Sequence, residues 1–239
     1  MSGHSKWSTI KRQKGANDAK RGALFTKLSK AITIAVLAGG GVADPAQNFR
    51  LRLAVEAARA GNMPKENIER AIEKAAGKSG DTLEEVLYEG FGPGGVGIIV
   101  EAATDNKNRT TSEVQNAFNK NGGNMGAMGS VSYQFKKMGQ LVVEKNSLSF
   151  DDVFLEAADA GAEDVEDAGE VAYLYTQPGD LAKVRDSLSS KGIVVKEMEL
   201  IWKPTVTAEV DDTTGEKVMN ILEKLEDLDD VQKTYSNIA

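Results

Sequence analysis

Hydrophobic residues recur at helical spacing in three stretches near the start of the chain. Leu24, Leu28, Ile32 and Ala35 or Val36 fall on one face of a first helix. Gly39, Gly40 and Gly41 end it, because glycine reaches positive φ cheaply and offers nothing to continue a helix. Phe49, Leu53, Ala57 and Ala60 form the face of a second helix, with Asp44 as its cap, Pro45 in its first position and Gly61 as its stop. Pro64 opens a third, whose face is Ile68, Ala71, Ile72 and Ala75 and whose end is Gly77. Three amphipathic helices with short joints predict a small bundle. The outward positions Arg50, Arg52, Arg59, Lys65, Arg70 and Lys74 predict that its surface is basic.

After a polar linker at 78–81 the period shortens to that of strands. Strands at 86–90 and 97–103 flank the turn 91–95, and Asp105 with Asn106 caps a helix reaching about 119. A loose loop at 121–129 and a strand at 130–135 follow. The next elements are a strand at 141–144, a helix at 150–160, strands at 163–166 and 171–176, a helix at 181–191 and a strand at 193–201. That order is βαββαβ, the ferredoxin-like arrangement. A strand at 206–210, a helix at 213–228 and a strand at 231–235 are too few to stand alone, so they pair with 86–135. The expected fold is α+β: an N-terminal three-helix-type domain followed by two α+β domains, one ferredoxin-like and inserted in the other. The predicted boundaries are 1–79, then 80–137 with 204–239, and 138–203 for the insertion.

Composition fits this picture. Of 239 residues 41% are hydrophobic and 27% charged, as in globular proteins, and cysteine is absent. Disulfides, thiolate metal sites and cysteine nucleophiles are thereby excluded, and a reducing compartment is consistent. The most apolar run, 31–38, falls short of the roughly 18 residues that a membrane span needs. The first residues are polar and basic, unlike a secretory signal, so the expected location is cytoplasmic with no membrane partner.

Charge changes the picture more. The formal net charge of −7 conceals a split: up to Lys78 there are fifteen Lys and Arg against six Asp and Glu, and beyond it fourteen against thirty. A cationic first third and an anionic remainder point to a polyanionic partner for the first third alone. Within it, residues 2–28 are densest in cations, and Asp18 is their only acid. His4, Lys6, Trp7, Lys11, Arg12, Lys14, Lys20, Arg21 and Lys27 are the candidate nucleic-acid-binding residues. Their cations would displace counterions from phosphates, and Trp7 or Phe25 would stack on unpaired bases.

Other candidate chemistry is weaker. Gly90, Gly92 and Gly95 match G-x-G-x-x-G, but they lead into a strand instead of a helix, and Pro93 removes a phosphate-facing amide. They read as a turn. His4 has no orienting acid nearby in sequence and no companion ligands for zinc, which leaves a tail residue or a contact to phosphate or to a base. The acids of 223–230 lack the glycine and spacing of a calcium loop and read as a solvated helix end. Met125 and Met128, on a glycine-rich loop at 122–129, suit either a slack connector or an adaptable contact surface. Neither a catalytic residue, a cofactor, a metal nor a small-molecule substrate is expected, so the chain reads as no enzyme.

Five separated motifs carry a resemblance: Gly3-His4-Ser5-Lys6-Trp7, Asp18-Ala19-Lys20-Arg21-Gly22, Phe25-Thr26-Lys27, Tyr88 through Gly95, and Asp105-Asn106-Lys107-Asn108-Arg109-Thr110. In this order they resemble the YebC/PmpR family over essentially the whole chain. The resemblance implies three domains, one helical and two α+β, and cytoplasmic, nucleic-acid-linked regulation. Bacterial members are described as DNA-binding transcriptional regulators. Mitochondrial relatives are described as translational activators, and some bacterial ones help ribosomes through proline-rich stretches. Two expectations therefore stand: a basic bundle on duplex DNA, or a basic front end on ribosomal RNA with the ribosome as partner.

Overall fold

The computed structural model describes residues 18–77, 83–146 and 148–239, with side chains from Arg21 onward. The first helices are α1 (Asp18–Ala38), α2 (Phe49–Ala60) and α3 (Lys65–Ala76). The linker predicted at 78–81 lies outside the described residues.

α2 begins later than its sequence predicts. Asp44 closes a turn instead of capping a helix: its Oδ1 accepts from Ala46 N at 2.9 Å and its carbonyl from Asn48 N at 2.9 Å. Asn48 is the cap. Its Oδ1 accepts from Leu51 N at 3.0 Å, while its Nδ2 donates to the carbonyls of Ala35 at 2.8 Å and Val42 at 3.0 Å. One buried amide thus serves the end of α1 and the start of α2 together. Gly39 is needed at this corner, since a Cβ there would lie 2.2 Å from Asn48 Nδ2.

α2 also buries a different face from the predicted one. Leu51, Val55 and Ala58 meet Ile32, Ala35 and Val36 of α1 and Ile68 and Ala71 of α3, forming the bundle core. Phe49 and Leu53 point away and join the core of the inserted domain, while Ala57 and Ala60 stay exposed. A helix between two cores needs two apolar faces, which blurs the single stripe expected of a surface helix.

The remaining elements are β1 (Glu84–Phe91), β2 (Gly97–Thr104), α4 (Lys107–Lys120), β3 (Asn124–Met125), β4 (Phe135–Glu144), α5 (Phe150–Ala160), β5 (Asp164–Ala168), β6 (Val171–Thr176), α6 (Leu181–Ser190), β7 (Val195–Pro204), α7 (Asp212–Glu226) and β8 (Val231–Ser236). They build two antiparallel sheets, ordered β3-β1-β2-β8 and β5-β6-β4-β7. The second is the ferredoxin-like sheet, and it enters the chain between β3 and β8 of the first. The fold is therefore α+β with one unit inserted in another.

Alternation decides which face meets what. Ile98, Val100 and Ala102 of β2 face α4 and α7, and Ala172 and Leu174 of β6 face α5 and α6. Between them Ile99 and Tyr235 of one sheet share a cluster with Val142, Tyr173, Tyr175 and Ile201 of the other. The two sheets accordingly meet through their helix-free faces, in the manner of a sandwich.

Three local expectations fail. Of residues 130–135 only Phe135 lies in a strand: a 3₁₀ turn, Ser132–Gln134, precedes β4, which is itself longer than predicted. Residues 206–210 make only an isolated bridge, Ala208 to Ile238. The loop at 121–129 is not slack, because β3 pairs with β1 through Gly90–Met125 and Phe91–Asn124. Glycine permits that approach: a Cβ on Gly90 would lie 2.7 Å from Asn124 O and from the Phe118 ring. The glycine run is the turn its context predicted, with φ of 72° at Gly94 and 75° at Gly95 leading into β2.

Leu53→Ala should lower stability by about 2–4 kcal/mol, as loss of a buried leucine does. Ala57→Ser, on the predicted but exposed face, should change it by less than about 0.5 kcal/mol. Urea denaturation of the two variants compares them directly.

Candidate nucleic-acid interface

The predicted contacts divide at the start of α1. His4, Lys6, Trp7, Lys11, Arg12 and Lys14 lie outside the described residues. Lys20 is in the first turn of α1, and Arg21 through Leu24 are exposed. Lys27 is turned inward and donates to the carbonyl of Glu226, 199 residues away. Lys30, three residues on and on the same side of the helix, donates to Asp229 O at 3.0 Å and to Asp230 Oδ1 at 2.6 Å. Both ammonium groups thus meet the C-terminal end of α7 and the turn after it, where the last carbonyls carry the negative end of the helix dipole. The basic helix docks by Lys27 and Lys30 and leaves Arg21 to Leu24 exposed.

Asp230 is the centre of this dock. The residue is 2% exposed, yet its carboxylate has four side-chain partners. Beside Lys30 these are Arg109 Nη2 at 2.6 Å, Thr110 Oγ1 at 2.6 Å and Thr104 Oγ1 at 3.2 Å. Its backbone carbonyl accepts from Ala103 N at 2.8 Å. Burial opposes ionisation, but Arg109, Lys30 and Thr110 outweigh it and hold the carboxyl well below the usual carboxylate range. By its sequence Asp230 belongs to a solvated acidic helix end; the cations that claim it come from α1 and α4, far away along the chain.

Several of the remaining outward cations of the bundle are matched by nearby acceptors, while Arg59 is exposed. Arg50 Nη1 donates to Glu85 at 3.2 Å, and Arg52 donates to the carbonyls of Pro45 at 3.0 Å and Ala46 at 2.9 Å. Glu56 accepts from Arg185 of the inserted domain at 3.2 Å. On α3, Lys65, Arg70 and Lys74 alternate with Glu66, Glu69 and Glu73. Between bundle and body lies a cleft of about 1060 Å³, lined by Leu24, Leu28 and Leu53 and by Glu101, Glu199 and Lys233 among others. Its walls carry both signs of charge.

A second buried carboxylate was missed by sequence reading. Glu89 of β1 is 2% exposed and accepts from three backbone amides: Gly129 at 2.8 Å, Val131 at 2.6 Å and Ser132 at 2.8 Å. Burial pushes this carboxyl up, but the three N–H donors more than offset it and the net shift is downward. Its carbonyl takes a fourth amide, Gly126 N, at 2.8 Å. The available signal was an acid between Tyr88 and Gly90 inside a strand, where a charge needs a partner that local sequence does not supply. Among the described residues no cluster of three or more His, Asp or Glu could hold a metal ion, and no helix is long and apolar enough to cross a membrane.

Comparison with known proteins agrees with this architecture. The family description "TACO1/YebC protein N-terminal domain" matches residues 5–78, and "TACO1/YebC second and third domain" matches 83–238. The chain belongs to the TACO1/YebC family. A "probable transcriptional regulatory protein" of Chloroflexus aurantiacus is 51% identical over 100% of this chain and 95% of its own length. One of the same description from Dictyoglomus turgidum is 49% identical over 99% of this chain and 95% of its own. The crystal structure of a conserved hypothetical protein from Aquifex aeolicus has 46% identity and a TM-score of 0.85, and the match covers 93% of this chain and 91% of that one.

Two variants test the TACO1/YebC junctions described above. Asp230→Asn leaves Lys30 and Arg109 without their shared anion, so stability should fall by about 2–3 kcal/mol and amide exchange in α1 should quicken at least about tenfold. Because the folded carboxyl is held below its unfolded value near 3.9, its contribution is complete above about pH 4 and is lost as pH falls further. Wild type should therefore lose the difference from Asp230→Asn only in that acid window, by denaturation at stepped pH. Glu89→Ala strips three amides of their acceptor; it should cost about 2–4 kcal/mol and speed proteolysis at 126–130, read by timed digestion.

Proposed function

We propose that this TACO1/YebC-family chain is a nucleic-acid-binding regulatory protein, a DNA-binding transcriptional regulator that grips phosphates with the cations of residues 2–21, ahead of the dock. One observation carries the reading. The dock takes Lys27 and Lys30, while Lys6, Lys11, Arg12, Lys14, Lys20 and Arg21 precede it with Asp18 as their only acid. The acidic excess beyond Lys78 repels the same polymer, which sets the orientation of binding. In this reading the three units, 1–79, 80–137 with 204–239, and 138–203, divide the labour between grip and body. The protein acts in the cytoplasm without a catalytic step. The description carried by the relatives supports this reading.

A second reading, a translation factor on ribosomal RNA, is favoured by one feature of the bundle. α2 is covered on two sides, by the bundle and by the inserted domain, and the outer face of α3 balances its charges. Neither helix is therefore suited to enter a major groove and read bases, whereas contacts to phosphate and shape fit structured RNA.

Changing Lys11, Arg12, Lys20 and Arg21 together to glutamate should abolish binding and leave the circular-dichroism spectrum native. Wild-type affinity should fall with salt at a slope of about 0.9 per phosphate contact on duplex DNA. Retained affinity in the folded variant places the site elsewhere. Saturable co-sedimentation with ribosomes, without preference among duplex sequences, transfers the conclusion to the second reading.

A further inference from the structure

We propose that the loop after α4, from Asn121 to Tyr133, is a second contact that takes unpaired bases of single-stranded RNA. The proposal rests on the nucleic-acid reading above and adds a surface far along the chain from the basic front segment. Its two outermost side chains, Met128 at 84% and Tyr133 at 74%, are the most exposed large hydrophobic residues among those described. Both side chains stand in water over most of their surface and are open to a partner.

The loop is nevertheless held rigid. The buried carboxylate of Glu89 fixes Gly129, Val131 and Ser132, its carbonyl fixes Gly126, and β3 pairs the other limb with β1. Tyr133 is oriented as well. Its hydroxyl accepts from Gln134 Nε2 at 3.0 Å, and Gln134 Oε1 accepts from Asn237 Nδ2 at 2.6 Å. A carboxylate withdrawn from water to pin a surface loop makes sense if the loop presents something. A preformed surface also avoids the ordering cost of binding.

The chemistry presented fits nucleobases. An aromatic ring offers a stacking platform, and a methionine can wedge between base steps. Gly122 and Gly129, with φ of 79° and 86°, keep the backbone approachable for base edges, and Asn124 is exposed beside them. Charge points the same way. No Asp or Glu stands between Glu113 and Glu144, although the part of the chain beyond Lys78 holds thirty acids against fourteen cations. In that window lie the exposed Lys120 at the end of α4 and Lys136 and Lys137, which pair with Glu163 at 3.0 Å and Glu101 at 3.8 Å. The loop thus adds no acid of its own to the repulsion that a polyanion meets on the acidic body.

The test uses the full chain and a fluorescein-labelled single-stranded RNA of mixed sequence, beside the same RNA annealed to its complement. Met128→Ala combined with Tyr133→Ala should weaken single-strand binding at least about tenfold, with the salt slope and duplex binding unchanged. Tyr133→Phe, which keeps the ring, should bind within about twofold of wild type. With 4-thiouridine in the strand, ultraviolet crosslinks should map to the peptide containing Met128 or Tyr133. Unchanged single-strand affinity in the double variant, or equal losses on both RNAs, overturns the proposal and leaves the basic front segment standing. Failure of the wild-type chain to bind either RNA or duplex DNA overturns both.

Discussion

One buried carboxylate ties the helical unit to the body, beside the apolar contact that Phe49 and Leu53 make with the inserted unit. Asp230 sits where α1, α4, β2 and the start of β8 converge, and each of the first three sends it a donor: Lys30, Arg109 with Thr110, and Thr104. A carboxylate withdrawn from water is unfavourable unless cations and hydroxyls replace its hydration, and here they do so from three separate elements. The contact therefore has a strict geometry. Its partner contact, Lys27 on the last carbonyl of α7, adds attraction to the helix end but less directionality, since an ammonium carries three rotatable donors.

The same physics works in the opposite sense at Glu89. Asp230 draws distant cations inward and fixes one unit on another, whereas Glu89 collects backbone amides and fixes a surface loop. Between these two anchors the body of the molecule is a pair of sheets packed through Tyr173, Tyr175, Tyr235 and their neighbours. Membership in the TACO1/YebC family accounts for the architecture, and these two carboxylates account for how its parts are held in place.

Charge is arranged by position along the chain and then sorted by the fold. Cations nearest the body are matched: Lys27 and Lys30 against the α7 end, Arg50 against Glu85, Arg52 against turn carbonyls. Ahead of the dock the sequence stays basic, and beyond Lys78 it is acidic. A polymer of phosphates meeting such a molecule is attracted at one end and repelled over most of the rest, which fixes orientation before any base is touched.

Much of this was legible in the sequence, because helix periods, caps and alternation are local properties. α5 (Phe150–Ala160) and β6 (Val171–Thr176) fall where their patterns put them, and the βαββαβ order followed from spacing alone. The tertiary structure decided the rest. Asn48 displaced Asp44 as a cap because it also satisfies carbonyls of Ala35 and Val42, and Leu53 left the bundle because a second core lies across from it. Residues 206–210 have β-forming side chains but only one bridge partner. Periodicity tells which residues want burial or a partner; only the folded chain brings together residues far apart in sequence, such as Lys30 with Asp230 or Glu89 with Val131, and so settles which partner each one gets.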